Sequence, residues 1–292
     1  MTEYLTITPG EIKTKFLHAY LLGSVAPRPI AFASTISKDG TPNLAPFSFF
    51  NVFSSNPPML IFSPARRVRD NTTKHTLQNV IEVPEVVVNV VSHAIVQQMN
   101  LASTEYPDGV NEFEKAGFTA IQSELVRPFR VAESPVQMEC KVVEIKPLGA
   151  FGGAGQLIFA KVLRLHINKG VLDANDNIDP HKIDLVARMG ANYYARASGE
   201  AVFEVEKPLD VPGIGIDALP DFVKNSNVLT GNEFGRLGNV PALPDRVTLS
   251  DWWNTNGGSY EGSNLELAAR AALNAGNKET ALFLLLKPLL SN

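Results

Sequence analysis

Leu157-Ile158-Phe159-Ala160-Lys161-Val162-Leu163-Arg164-Leu165-His166-Ile167 is the stretch on which the fold class turns. One face of an extended chain here carries Leu157, Phe159, Leu163, Leu165 and Ile167, interrupted by Lys161. That period of two belongs to a strand and not to a helix. The strand is long by ordinary standards, as a coiled barrel strand can be. Upstream, residues 136–142 repeat the pattern, with Val136, Met138, Cys140 and Val142 alternating with Gln137, Glu139 and Lys141.

Working outward, residues 86–91 are β-branched apart from Asn89 and read as a buried strand. Residues 28–37 are rich in Ile, Phe, Ala, Ser and Thr, and Lys38-Asp39-Gly40 follows as a hairpin turn. An extended pattern resumes over 43–52, and 58–63 is a short apolar run. Short helices are expected at 74–82, 93–101, where Ser92 can cap, and 111–116. Several antiparallel strands with few intervening helices predict a mainly β protein with short helices, built as a small β-barrel rather than a doubly wound sheet.

The composition changes near Lys207. Pro208, Pro212, Pro220, Pro241 and Pro244 punctuate a loop-rich segment. Ser263-Asn264-Leu265-Glu266 fits a capping box opening a helix that Gly276 would stop, and a last apolar helix is expected at 278–286. The expected division is a barrel domain over 1–205 and a C-terminal extension over 206–292 packed on the barrel, not a separate enzyme domain.

Charge and cysteine content narrow the function. A net charge of -4 argues against a broad nucleic-acid-binding surface. The one cysteine, Cys140, can form no internal disulfide and no multi-cysteine zinc site. Apolar runs fall far short of the roughly 20 residues of a membrane helix. Met1-Thr2-Glu3-Tyr4 lacks the pattern of a signal peptide, so a cytoplasmic protein is expected.

Ser63-Pro64-Ala65-Arg66-Arg67-Val68-Arg69-Asp70-Asn71-Thr72-Thr73-Lys74-His75-Thr76 is the richest local signal. It leaves an apolar strand, carries three arginines and enters a helix. Unpaired N–H groups and partial positive charge at that helix start, with Lys74, Thr76 and an arginine, suit a phosphate monoester. On the residues alone, a capped surface helix beside a solvated basic turn is the commoner arrangement. Asn43-Leu44-Ala45-Pro46-Phe47-Ser48-Phe49-Phe50-Asn51 sets polar groups among aromatics. A flat heteroaromatic ligand needs that mixture, although an aromatic core strand would also show it.

Three patterns are set aside. Gly213-Ile214-Gly215-Ile216-Asp217-Ala218 has the letters of a dinucleotide loop, but Pro212 and Pro220 exclude the strand and helix it needs. Gly257-Gly258-Ser259-Tyr260-Glu261 fails the nucleophile elbow at its last position. The five histidines show no metal-ligand spacing.

Taken in order, several segments resemble the flavin reductase-like family of FMN-binding split barrels. These are 28–35, 43–51, Lys74-His75-Thr76, 85–91, 112–117, Glu133-Ser134-Pro135 and 188–194. The resemblance covers about 20–200 and implies a Greek-key antiparallel barrel, usually a homodimer, with FMN near the subunit interface. It implies that Asn43, Ala45, Phe47, Ser48, Phe49, Phe50 and Asn51 line the isoalloxazine. Lys74 and Thr76 would hold the phosphate, with Arg66 close by, and Thr35 and Ser63 are assigned to the same cofactor site. Many relatives carry an acidic residue between the Lys and Thr. This chain has His75 there, so Lys74 and Thr76 are carried over and position 75 is not. The segment 188–194 would close over the flavin.

The activity implied is an FMN-binding oxidoreductase, an NAD(P)H-dependent flavin reductase. Its partner would be a monooxygenase or an electron-transfer protein. The flavin carries the chemistry, so no catalytic side chain is named. Two alternatives stand beside it: a non-enzymatic FMN-binding electron-transfer or storage protein, and an interaction module that has lost FMN.

Overall fold

The two alternating stretches form strands of 12 residues each in the computed structural model, which describes residues 2–207 and 211–290. In chain order the strands are β1 (Ala31–Ile36), β2 (Pro42–Phe47), β3 (Phe50–Ser55), β4 (Pro58–Phe62) and β5 (Glu85–Asn89). The short ribbon β6 (Ala120–Ile121) and β7 (Arg130–Val131) follows, then β8 (Val136–Pro147), β9 (Gln156–Ile167) and a second ribbon, β10 (Val186–Arg188) with β11 (Tyr194–Arg196). The main sheet runs β2-β1-β5-β8-β9-β4-β3 with antiparallel neighbours.

Its two edge strands, β2 and β3, are consecutive in the chain. Segment 43–51 is therefore not one strand: it leaves one edge, turns at Ser48-Phe49 and enters the other. The sheet nevertheless wraps around one core. Ala31, Phe47, Phe62, Val86, Cys140 and Ile158, from six different strands, share a single buried cluster. The rings of Phe47 and Phe62 lie 5.6 Å apart. A sheet that curls onto itself without pairing its edges is a split barrel. Strand β1 is buried on both faces. Its alanines, Ala31 and Ala33, fill the tight interior, while Phe32 packs outward with Phe113, Phe118 and Met99.

The long strands correct one detail. In β9 the buried residues are Gln156, Ile158 and Ala160, whereas Leu163 and Leu165 are exposed. The face with the larger apolar side chains thus points away from the core. Register shifts at Glu139/Cys140 and Val142/Glu144 of β8 bend this pair, and strong coiling favours small residues inside.

The helices of this unit are α1 (Thr14–Ser24), α2 (His75–Glu82), α3 (Val96–Leu101) and α4 (Glu112–Ala116). The last three fall where expected. A single 3₁₀ turn, His93–Ile95, opens the second region, and Ser92 makes no side-chain cap there. Helix α1 had no sequence signal: it buries no residue, has no acidic first turn and lacks a side-chain cap.

The chain divides into two compact units, Met1–Phe203 and Glu204–Asn292. Pro208 lies outside the described residues. The second unit is helical: α5 (Asp221–Lys224), α6 (Gly231–Gly238), α7 (Arg246–Asn256), α8 (Leu265–Asn274) and α9 (Lys278–Leu285). It has its own core, including Leu237, Leu249, Leu273 and Leu284, with Trp252 stacked on Phe283 at 5.0 Å. Asn264, not Ser263, caps α8, accepting from the N–H groups of Glu266 and Leu267. Gly213 is explained by packing, since a side chain there would meet the Gly238 carbonyl at 2.5 Å.

Candidate functional site

The turn between β4 and α2 is rigid because its side chains and backbone bond one another. Ser63 is buried, and its Oγ accepts the Gln156 N–H at 2.9 Å. Arg66 is committed to the turn: its guanidinium donates to Asn71 Oδ1 at 2.7 Å and to the Asn71 carbonyl at 2.6 Å. Asn71 takes a left-handed conformation, φ 59°, and donates from Nδ2 to the Ala150 carbonyl at 3.1 Å. Gly152 allows the facing loop to approach, since a side chain there would meet the Arg67 carbonyl at 3.0 Å.

Past that turn, three cations converge. Arg67 donates to Thr72 Oγ1 at 2.8 Å, to the Thr73 carbonyl at 2.7 Å and to Glu105 Oε1 at 2.9 Å. Arg69 donates to Glu105 Oε2 at 2.9 Å. Lys74 Nζ stands 3.7 Å from Glu105 Oε1. Burial, then the neighbouring Arg67, holds the Lys74 ammonium below its usual value. Hydrogen bonds from Arg67 and Arg69 lower the Glu105 carboxyl. Lys74 is the N-cap of α2 and gives it no side-chain cap, so the first amides of the helix keep their donor capacity. A groove of about 620 Å³ opens here, lined by residues that include Arg66, Arg67, Thr73 and His75.

A buried polar network joins this turn to the barrel. Thr76 Oγ1 donates to Asn43 Oδ1 at 2.9 Å, and Thr35 Oγ1 donates to the same oxygen at 3.3 Å. Asn43 Nδ2 and the Leu44 N–H each donate to Glu112 at 3.0 Å. Asn79 Nδ2 donates to Thr35 Oγ1 at 3.1 Å. All five side chains are buried, and burial raises the Glu112 carboxyl above its ordinary value. The network fixes α2 against β1, β2 and α4, bringing the two sequence constellations together. The side-chain groups of Thr35, Asn43 and Thr76 are spent within it.

The rest of segment 43–51 forms the corner between the two edges. Phe47 is buried, and Ala45 and Phe50 are half-buried against the barrel core. Phe49 is 39% exposed, with the His18 ring edge-on at 6.4 Å. Asn51 is exposed, and its Oδ1 accepts the Val52 N–H at 2.8 Å. Arg28 holds the corner from below. This buried guanidinium donates to Ser48 Oγ at 3.5 Å, to the Leu22 carbonyl at 2.6 Å, to the Val25 carbonyl, and to the Met189 carbonyl at 3.0 Å. Burial and the nearby Arg188 lower its pKa. Segment 188–194 is thereby tied to segment 43–51.

Arg28, Arg67, Asn79, Glu105 and Glu112 were absent from the residue set expected from sequence. Arg67 lay within the quoted basic turn, and Arg28 and Glu112 within segments quoted for the resemblance, without a role. Glu105 and Glu112 meet their partners only through tertiary contact. Among the described residues, no His, Cys, Asp and Glu cluster could hold a metal, and no helix is long and apolar enough to cross a membrane.

The flavin reductase like domain family matches residues 22–190. An uncharacterized protein of Aquifex aeolicus is 42% identical over 189 residues, 65% of this chain and 94% of that protein. Nitrilotriacetate monooxygenase component B from Bacillus cereus is similar in structure, with TM-score 0.65 and 31% identity over 70% of this chain and 100% of that one. So is the 2-nitrobenzoate 2-nitroreductase of Pseudomonas fluorescens, with TM-score 0.61 and 25% identity over 72% and 100% of the two chains.

Proposed function

This chain belongs to the flavin reductase like family, and from that premise we propose that it binds FMN and uses NAD(P)H to reduce a flavin. The observation that carries the reading is the convergence of Arg67, Arg69 and Lys74 at the uncapped start of α2, beside segment 43–51. Guanidinium, ammonium and free backbone donors form the set a phosphate monoester needs. The donors present therefore fit the phosphate of FMN, and the groove lined by Arg66, Arg67, Thr73 and His75 leaves room for it at the turn.

When bound, the flavin accepts a hydride and passes its electrons on. The chain's own residues bind and orient. Lys74 and Arg67 hold the phosphate. The amides of His75 and Thr76 face it at the helix start. Arg66 shapes the turn through Asn71, and Ser63 secures the strand end below it. Ala45, Phe47, Ser48, Phe49, Phe50 and Asn51 border the ring, with Phe49 the exposed aromatic among them. Thr35, Asn43 and Thr76 hold the ring-bordering segment at a fixed distance from the phosphate turn. Segment 188–194, tied down by Arg28, covers the ring.

A homodimer is part of the proposal. Val52 and Phe53 on β3, and Leu163 and Leu165 on β9, are exposed apolar side chains of a kind a second copy would cover. The similarity to a monooxygenase component supports delivery of reduced flavin to a partner monooxygenase. The test is the visible spectrum of the purified protein with FMN, before and after NADH or NADPH. Bleaching of the flavin bands with turnover is expected. A bound flavin that neither nicotinamide reduces would leave a flavin carrier in place of a reductase, and a protein that takes up no FMN would overturn both.

A further inference from the structure

Glu105 lies on the loop between α3 and α4, in neither of the segments that build the proposed site. Its carboxylate takes one donor from each of two arginines and stands beside Lys74. These are the donors assigned above to the phosphate of FMN. We propose that Glu105 is a resident anion in the phosphate seat, which a phosphate monoester must displace, so that Glu105 sets the preference for phosphorylated over unphosphorylated flavin. The proposal rests on the reading that this cluster receives the phosphate.

Three features point to displacement rather than co-residence. First, the carboxylate already uses donors on both arginines, one per oxygen, as a phosphate would. Second, a phosphate dianion and a carboxylate in contact repel, and shared cations do not remove that repulsion between adjacent anions. Third, the mobility is unequal. Arg67 is anchored by Thr72 and Thr73 and its side chain is only 16% exposed, whereas that of Glu105 is 40% exposed. The carboxylate can turn into water while the arginine stays in place. Asp108, on the same loop, lines the groove that Arg66 and Arg67 also line, so a second carboxylate of this loop stands at the same turn.

The competing role for Glu105 is a clamp that holds Arg67, Arg69 and Lys74 in position for the ligand. The two roles predict opposite signs. Dissociation constants for FMN and riboflavin, read by quenching of flavin fluorescence, separate them in the wild type, Glu105→Gln and Glu105→Ala. Displacement predicts that both variants bind FMN more tightly, by roughly three- to tenfold given the modest worth of exposed ion pairs, with riboflavin unchanged. FMN binding that is unchanged or weaker in both variants overturns the proposal. FMN and riboflavin bound equally well by the wild type and by both variants would instead overturn the phosphate reading itself. The two failures are therefore distinguishable. If Glu105→Gln does not fold, Glu105→Ala carries the same test.

Discussion

Replacing Thr76 with valine removes a hydroxyl and leaves the shape of the side chain nearly intact, since both residues are β-branched. Thr76 is 1% exposed, and its hydroxyl donates to Asn43 Oδ1 at 2.9 Å. That oxygen also accepts from Thr35 Oγ1 at 3.3 Å, so the substitution does not orphan it. The larger cost of a bare buried acceptor, about 1–3 kcal/mol, is therefore avoided. What remains is the net worth of one neutral hydrogen bond, about 1 kcal/mol. For a unit of this size that lowers the melting temperature by roughly 2–4 °C. Far-UV circular dichroism follows the strands of the barrel, whereas both tryptophans, Trp252 and Trp253, report on the C-terminal unit. The paired measurement is a titration with FMN and with riboflavin. If Thr76 acts through its backbone amide and its hydroxyl is a strut, the Thr76→Val barrel melts a few degrees lower and keeps the wild-type preference for FMN. A melt that does not move, together with loss of FMN affinity alone, would show that the hydroxyl meets the phosphate and would refute this reasoning.

Lys74→Ala should weaken FMN binding about tenfold, near 1.4 kcal/mol for one partly exposed charged contact, and leave riboflavin binding unchanged; equal losses for both ligands would remove Lys74 from the phosphate site. Burial raises the Glu112 carboxyl above 4.5 in the folded protein. An acid with a raised folded pKa contributes stability that is complete below the unfolded value and is lost as pH rises through the folded one. The gap in urea midpoint between wild type and Glu112→Gln should therefore shrink as pH rises above the ordinary carboxylate range, and a constant gap would contradict the assignment. The Cys140 thiol is fully buried and pushed up to about 12 by burial, then by Glu139. It should resist thiol reagents until the barrel unfolds, and rapid labelling of the folded protein would show that the strand opens.

Much of the barrel was legible because its signals are local. The alternation at 136–142 needs only neighbouring residues, as does the Asp39-Gly40 turn, where Gly40 has φ 91°. The inverted face of β9 was not legible, since coiling and bulges decide which row of side chains lies inside. The break at Ser48-Phe49 was hidden too: each half of 43–51 is extended, and only the sheet order shows that the halves lie on opposite edges. Thr230 and Glu233 form a capping box that opens α6, a signal present in the letters within the loop-rich stretch. At the site, the cations were visible as a run along the chain. Glu105 was not recognisable as their partner, nor Glu112 as the acceptor for Asn43 and Leu44, because the contacts are made only once α3, α4 and the loop between them pack on the barrel.

The unpaired edges have a consequence for how the barrel breathes. Strands β2 and β3 each have one neighbour in the sheet and meet at a two-residue corner, so this seam can open without breaking a central ladder, and its amides should exchange with solvent by local opening. Strands β8 and β9, paired over most of their length, should exchange only when the whole barrel unfolds. A ligand along 43–51 and the α2 turn would bridge both sides of the seam. At one hundred times its dissociation constant it would add about 2.7 kcal/mol to the closed state. Deuterium uptake would then slow first in β2 and β3, making the binding site the place where the barrel finishes closing.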